Sequence, residues 1–262
     1  MNTASKQDTK IKDIVANDIV SSLGIAHNAA LYIQQNEALT IKGFAKTQTV
    51  LSSISSAMRA MVVLRDMYTD DMDNNLLTMN YCNIESFFTK TTDELNSFFA
   101  SGTDVSFKYS SKLEKKRTFY ININLIEKIL YALIYCLVKN LDEHDKKEIK
   151  ISIDEKSGKN KCYIITVSSK GKPLSRKLSG MFGKNIEKMP DFYDLDVISL
   201  NHVLEIVKSL NGSISYVNTK TMNKFVFTLP HLTEFDNLQY YETIEYQPDT
   251  NFIIGYFYDL TL

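Results

Sequence analysis

The chain has 262 residues, enough for two modest domains, with 44% apolar and 23% charged residues and a formal net charge of −1. That near-neutral balance excludes an electrostatic case for nucleic-acid binding. The three scattered cysteines (Cys82, Cys136, Cys162) form no CxxC pair and argue against a disulfide framework or a zinc site. With a polar start over residues 1–9 and no run near roughly 18 uninterrupted apolar residues, neither a secretory signal nor a membrane span is expected, and the cytoplasm is the natural setting.

Residues 10–35 carry Ile11, Val15, Ile19, Leu23, Ala26, Ala30 and Ile33 at spacings of three and four, which predicts an amphipathic helix. Gln34-Gln35-Asn36-Glu37 breaks it. A second long helix is predicted over 41–68, with Phe44, Val50 or Leu51, Ile54, Met58, Met61 and Leu64 as its stripe. Such a hairpin cannot bury both apolar faces alone, and pairing with a second copy into a four-helix bundle is the simplest remedy. Asp70 to Asn75 reads as an acidic linker.

Beyond the linker the pattern changes. Asn83 caps a predicted helix to about Phe99, with Glu85 in its first turn. Strands are predicted at 105–109 and 118–123. Asn124, with Glu127 three residues on, opens a helix to Lys139 that is apolar nearly all round, hence buried. Strands at 148–153 and 162–167, a long loop to about Asp194, a helix over 197–210 stopped by Asn211-Gly212, and a hairpin of 213–217 with 224–229 complete the domain. Strand pairs alternating with helices predict an α+β sandwich with helices on one face of a mixed sheet.

The order of a helical hairpin followed by this α+β domain resembles a histidine kinase core over residues 10–230. Asn124 to Leu133 looks like the helix bearing the kinase N box, and Val203 to Ile214 looks like the helix and turn after the second glycine box. The resemblance implies the fold class: an α plus α+β chain whose long helical hairpin forms a dimeric four-helix bundle, followed by a degenerate kinase-type ATPase-like α/β sandwich. It divides the chain into 1–69 (dimerisation and phosphotransfer-like hairpin), 80–230 (degenerate ATPase-like domain) and an extension, 231–262. The residues that would serve ATP are replaced. Ala132 and Cys136 stand at the N-box asparagines that hold magnesium. Ser169 stands at the adenine-reading aspartate, only Gly171 remains of the first glycine box, and Pro173 follows it. Val197-Ile198-Ser199-Leu200 takes the place of the second box. No ATP, other cofactor or metal is therefore expected.

A kinase-like fold with a lost nucleotide site resembles the ChpT-type histidine phosphotransferases. These are dimeric relay proteins that pass phosphate from a hybrid kinase receiver to response regulators. Asn17 to Leu31 is similar to their first helix at most positions, but Asn17 stands where the phospho-accepting histidine is expected and Ser22 replaces a proline. At about 100° per residue, Asn17 lies opposite the predicted stripe, where an acceptor must face a partner. A carboxamide nitrogen is delocalised into its carbonyl and cannot attack phosphorus as an imidazole nitrogen does. Asp18 would orient an imidazole or a docked regulator in the family, and without the histidine it is a solvated acid. His27, on the flank of the stripe, is a packing residue or an alternative acceptor. The other histidines, His144, His202 and His231, are scattered and suggest no metal centre.

The expected function is a homodimeric phosphorelay module that docks receiver domains, that of a hybrid histidine kinase among them, having lost the usual acceptor. The alternatives are an active phosphotransferase using His27 and a pseudo-histidine-kinase scaffold outside any relay. The extension carries six acids and no Lys or Arg, so the rest of the chain is near +5. Its run Phe252 to Tyr258 is too apolar to be solvated. It reads either as an extra strand or lid on the second domain, or as a peptide occupying a docking surface.

Overall fold

The structure, a computed structural model, describes residues 19, 22–69, 80–100, 102–113, 117–142, 146–157, 161–182, 195–219, 222–231, 243–248 and 250–260. The chain divides into two units, Met1–Asp71 with Asp249–Leu262, and Met72–Pro248.

In the first unit, α1 (residues 22–36) runs through three of the four residues of the predicted break, so the turn falls at residues 37–40, before α2 (Ile41–Thr69). The Thr40 hydroxyl accepts from Gly43 N at 3.1 Å and caps α2. Gln34 Nε2 donates to Gln48 Oε1 at 2.6 Å, tying the two helices together. The buried line of α2 is Leu51, Ser55, Met58, Arg59, Val62 and Val63. On α1 the buried positions are His27 and Ala30, with Leu23 and Gln34 half-buried, whereas Ala26 and Ile33 of the predicted stripe are exposed. The stripe is thus turned from its predicted position. Alanines at 26, 29 and 30 give α1 little apolar contrast, so packing rather than periodicity sets which side faces in.

The extension divides between the units. Its last part forms α7 (Thr250–Phe257) and a 3₁₀ turn (Tyr258–Leu260), and both pack on α2. Ile253, Tyr256 and Phe257 are buried there. Gly255 permits the close approach, since a Cβ at that position would stand 3.0 Å from Val62 Cγ2. The Arg59 guanidinium lies 5.9 Å from the Tyr256 ring centre, and that of Arg65 lies 5.8 Å from Phe252. A lid on the second domain is therefore not what this helix forms.

The second unit holds two sheets. β2 (Ser106–Ser111), β4 (Glu148–Lys156), β5 (Cys162–Lys170), β7 (Met222–Pro230) and β6 (Ser213–Thr219) make a mixed five-stranded sheet in the order β2-β4-β5-β7-β6, with β2–β4 parallel and the other pairs antiparallel. β1 (Asn80–Asn83) pairs with β3 (Thr118–Ile121) on one side and in parallel with β8 (Thr243–Ile244) on the other. α3 (Ile84–Phe99), α4 (Ile123–Lys139), the short α5 (Arg176–Gly180) and α6 (Leu195–Ser209) are its helices. Alternate residues of the large sheet (Phe107, Ile149, Ile151, Ile165, Val167, Phe225, Phe227) are buried, as are Leu130, Leu133, Ile134 and Leu137 of α4, so the core lies on one face of the sheet.

The Asn83 side chain caps α3 at Ser86 N (2.8 Å), as predicted. Asn211 has φ 54° and ends α6, and a Cβ on Gly212 would meet Thr228 O at 2.2 Å, so the Asn-Gly stop is both conformational and steric. The cap of α4 is Asn122, two residues ahead of the predicted Asn124. That frees Glu127 from any capping role. β1, α5 and α7 have no counterpart among the predicted elements, whereas β8 is an extra strand of the extension on the second unit.

Candidate functional site

Asn17 and Asp18 lie outside the described residues, as does His144. His27 is described, and its ring is only 3% exposed. Burial pulls its pKa below the ordinary histidine value, against an opposing hydrogen bond with the Asn28 side chain. A neutral imidazole has the nitrogen lone pair that attack requires. Its burial means that an incoming aspartyl phosphate would first need the ring to become exposed.

The residues that the resemblance matches to a kinase's nucleotide-binding groups all lie in the second unit. α4 presents Ala132 and Cys136, each 2% exposed, and β5 ends in Ser169, 3% exposed. The Lys139 ammonium sits 2.7 Å from Asp196 Oδ2, joining the last turn of α4 to the first turn of α6. Ser199 and His202 of α6 are buried too. The Ser169 hydroxyl is buried without a hydrogen-bond partner among the described residues, a cost of about 1–3 kcal/mol.

The stretch after β5 is held at several points. Gly171 has φ 155°, and a Cβ there would stand 2.2 Å from Asn140 O. Lys172 N donates to that same carbonyl at 2.8 Å. Asn223 Nδ2 donates to Lys172 O at 2.8 Å, and Leu174 N donates to Tyr216 Oη at 3.1 Å. Gly171 thus serves a close backbone contact, and Pro173 sits within a pinned turn.

A second polar centre was missed in the sequence. Glu127, buried in α4, accepts from Tyr246 Oη at 2.5 Å and from Tyr131 Oη at 3.4 Å, and Thr91 Oγ1 is 3.1 Å from Tyr246 Oη. The Tyr246 ring packs 4.5 Å from that of Phe87. Burial, with the Glu127 charge next in weight, pushes the Tyr246 phenol far above its usual range. Lys90 holds the same segment through Glu245 (2.9 Å) and Tyr246 O (2.9 Å). This segment follows β8, so the middle of the extension is built into the second unit. The sequence signal was an acidic residue in a helix that is apolar nearly all round.

Among the described residues no group of three His, Cys, Asp or Glu is placed to hold a metal ion, and no helix is long and apolar enough to cross a membrane.

No protein-family model and no curated protein matches the chain by sequence. Solved structures do match. Full-length ShkA in complex with AMPPNP aligns with a TM-score of 0.53 at 12% identity, over 86% of this chain and 46% of that one. Acinetobacter baumannii histidine kinase AdeS aligns at 0.48 and 15% identity, over 81% and 97% of the two chains. The nucleotide-free catalytic domain of histidine kinase ThkA aligns at 0.43 and 14%, over 58% and 95%. Over most of its length the chain thus shares a fold with part of ShkA. At these identities the likeness is one of fold.

Proposed function

We propose that the protein is a two-component phosphorelay module of the ChpT type, which docks response-regulator receiver domains as a homodimer and does not bind ATP. What supports this reading is a kinase-like fold in which the residues matched to the nucleotide site are apolar or buried. Apolar or buried groups (Ala132, Cys136, Ser169) stand where magnesium and adenine would be met, the Lys139–Asp196 pair bridges α4 and α6, and the stretch at 171–174 is tied down where a kinase needs a mobile lid. An ATP-spending enzyme has no use for this arrangement, whereas a docking module loses nothing by it. Calorimetry of the full chain with Mg-ATP should show no saturable heat. A dissociation constant below about 100 μM, roughly 5.5 kcal/mol of binding, would overturn the reading.

Dimerisation rests on the apolar surface that the hairpin leaves wet. Ile25 (73% exposed), Ala29 and Tyr32 (63%) form one line on α1, with Ile33, Ile41 and Phe44 also exposed. A second copy of the hairpin covers such a line with like residues, at about 25 cal/mol per Å² of apolar surface removed from water. Ile25→Glu with Tyr32→Glu is expected to turn a micromolar dimer into a folded monomer in sedimentation velocity. A wild-type chain that sediments as a monomer at that concentration refutes the dimer.

A further inference from the structure

The face of the five-stranded sheet that points away from the helices carries a row of lysines. Lys108, Lys150, Ser168 and Lys224 are successive register partners across β2, β4, β5 and β7. Lys170 is one step along β5, and Lys146 just precedes β4. Three of these ammonium groups converge on one carboxylate: Glu148 has Lys108 Nζ at 2.6 Å, Lys146 Nζ at 3.2 Å and Lys150 Nζ at 3.3 Å. The Lys108 hydrogen bond and its neighbours pull the Glu148 carboxyl down to about 2. Five lysines face one glutamate, a local charge of +4 in a chain of −1. Beside them is a cleft of about 140 Å³ lined by Lys146, Glu148, Lys150, Ser168, Ser169, Lys170 and Met222.

We propose that this cleft binds a multivalent oxyanion of the phosphate-ester class. Lysine ammonium groups are compact point charges suited to phosphate, and a dianion gains about twice what a carboxylate gains from the same cations. The cleft is smaller than the roughly 300–1,000 Å³ of sites that enclose a whole small molecule. It therefore grips a single anionic group and leaves the remainder of the ligand outside. Glu148 already shows the lysines arranged around an oxyanion, and its own charge competes with the ligand. Of the residues matched to a kinase nucleotide site, Ser169 also lines this cleft, whereas Ala132 and Cys136 belong to α4.

The test titrates inorganic pyrophosphate into the full chain in low-chloride buffer. Saturable binding is expected, weakened at least about tenfold in Lys150→Glu with Lys170→Glu, and tightened about threefold to tenfold in Glu148→Gln, since each 1.4 kcal/mol is a factor of ten. Lys46→Glu on α2 should leave it unchanged. A second arm uses phosphatidylcholine vesicles with and without phosphatidylinositol bisphosphate. Co-sedimentation lost in the double variant identifies a lipid headgroup as the source, and pyrophosphate binding without it identifies a free phosphate compound. The proposal fails if no saturable heat appears up to about 10 mM, if Lys46→Glu weakens binding as much as the double variant does, or if Glu148→Gln weakens it.

Discussion

Asn17→His is expected to make the protein a phosphoryl acceptor from a cognate phosphorylated receiver, with acid-labile label at least about a hundredfold above the unmodified chain. The receiver's aspartyl phosphate gives up its phosphoryl group, an unprotonated imidazole nitrogen forms the new P–N bond, and the aspartate carboxylate leaves. The asparagine carboxamide offers no lone pair for that bond, so no neighbouring residue should rescue the step fully. Label on the unmodified chain that disappears in His27→Ala would make His27 the acceptor, despite a ring that is buried in this structure. No label on Asn17→His with several donors would place the chain outside phosphorelay and leave a scaffold.

Tyr246→Ala should cost about 3–5 kcal/mol of stability, the usual range for truncating a buried aromatic ring. It removes the ring packed on Phe87 and the 2.5 Å hydrogen bond to Glu127. Tyr246→Phe keeps the ring and should cost about 1–3 kcal/mol, because Glu127 then retains a buried carboxylate with one strong donor fewer. Urea unfolding of the full chain separates the two. A Tyr246→Ala variant within about 1 kcal/mol of wild type would mean that the segment after β8 does not hold the second unit together.

Much of the second unit was legible because its signals are local. The cap at Asn83, the stop at Asn211-Gly212 and the strand alternation of β4, β5 and β7 each act over a few residues, and the structure places all of them close to where the sequence does. The buried α4 was legible for the same reason, although its cap moved to Asn122 because two asparagines compete at that corner. Ala132, Cys136 and Ser169, which the resemblance sets at nucleotide-binding positions, are buried in the structure.

The features that were not legible depend on contacts distant in sequence. Glu127 looked like a capping residue until Tyr246, 119 positions later, was found hydrogen-bonded to it. The line of α1 that faces inward could not be read from a helix with alanines on several sides, and His27 moved from a flank to a buried position. The extension was visibly too apolar to be solvated, but its composition says nothing about where that surface is buried. By itself the sequence determined most of the element order and the kinase-like pattern, since propensity, capping and residue identity are properties of short segments. Only the tertiary structure decided that the extension is divided, with Tyr246 in the core of one unit and Ile253 and Phe257 against α2 in the other. Burial is a relation between surfaces, and a segment's own residues specify only one of the two.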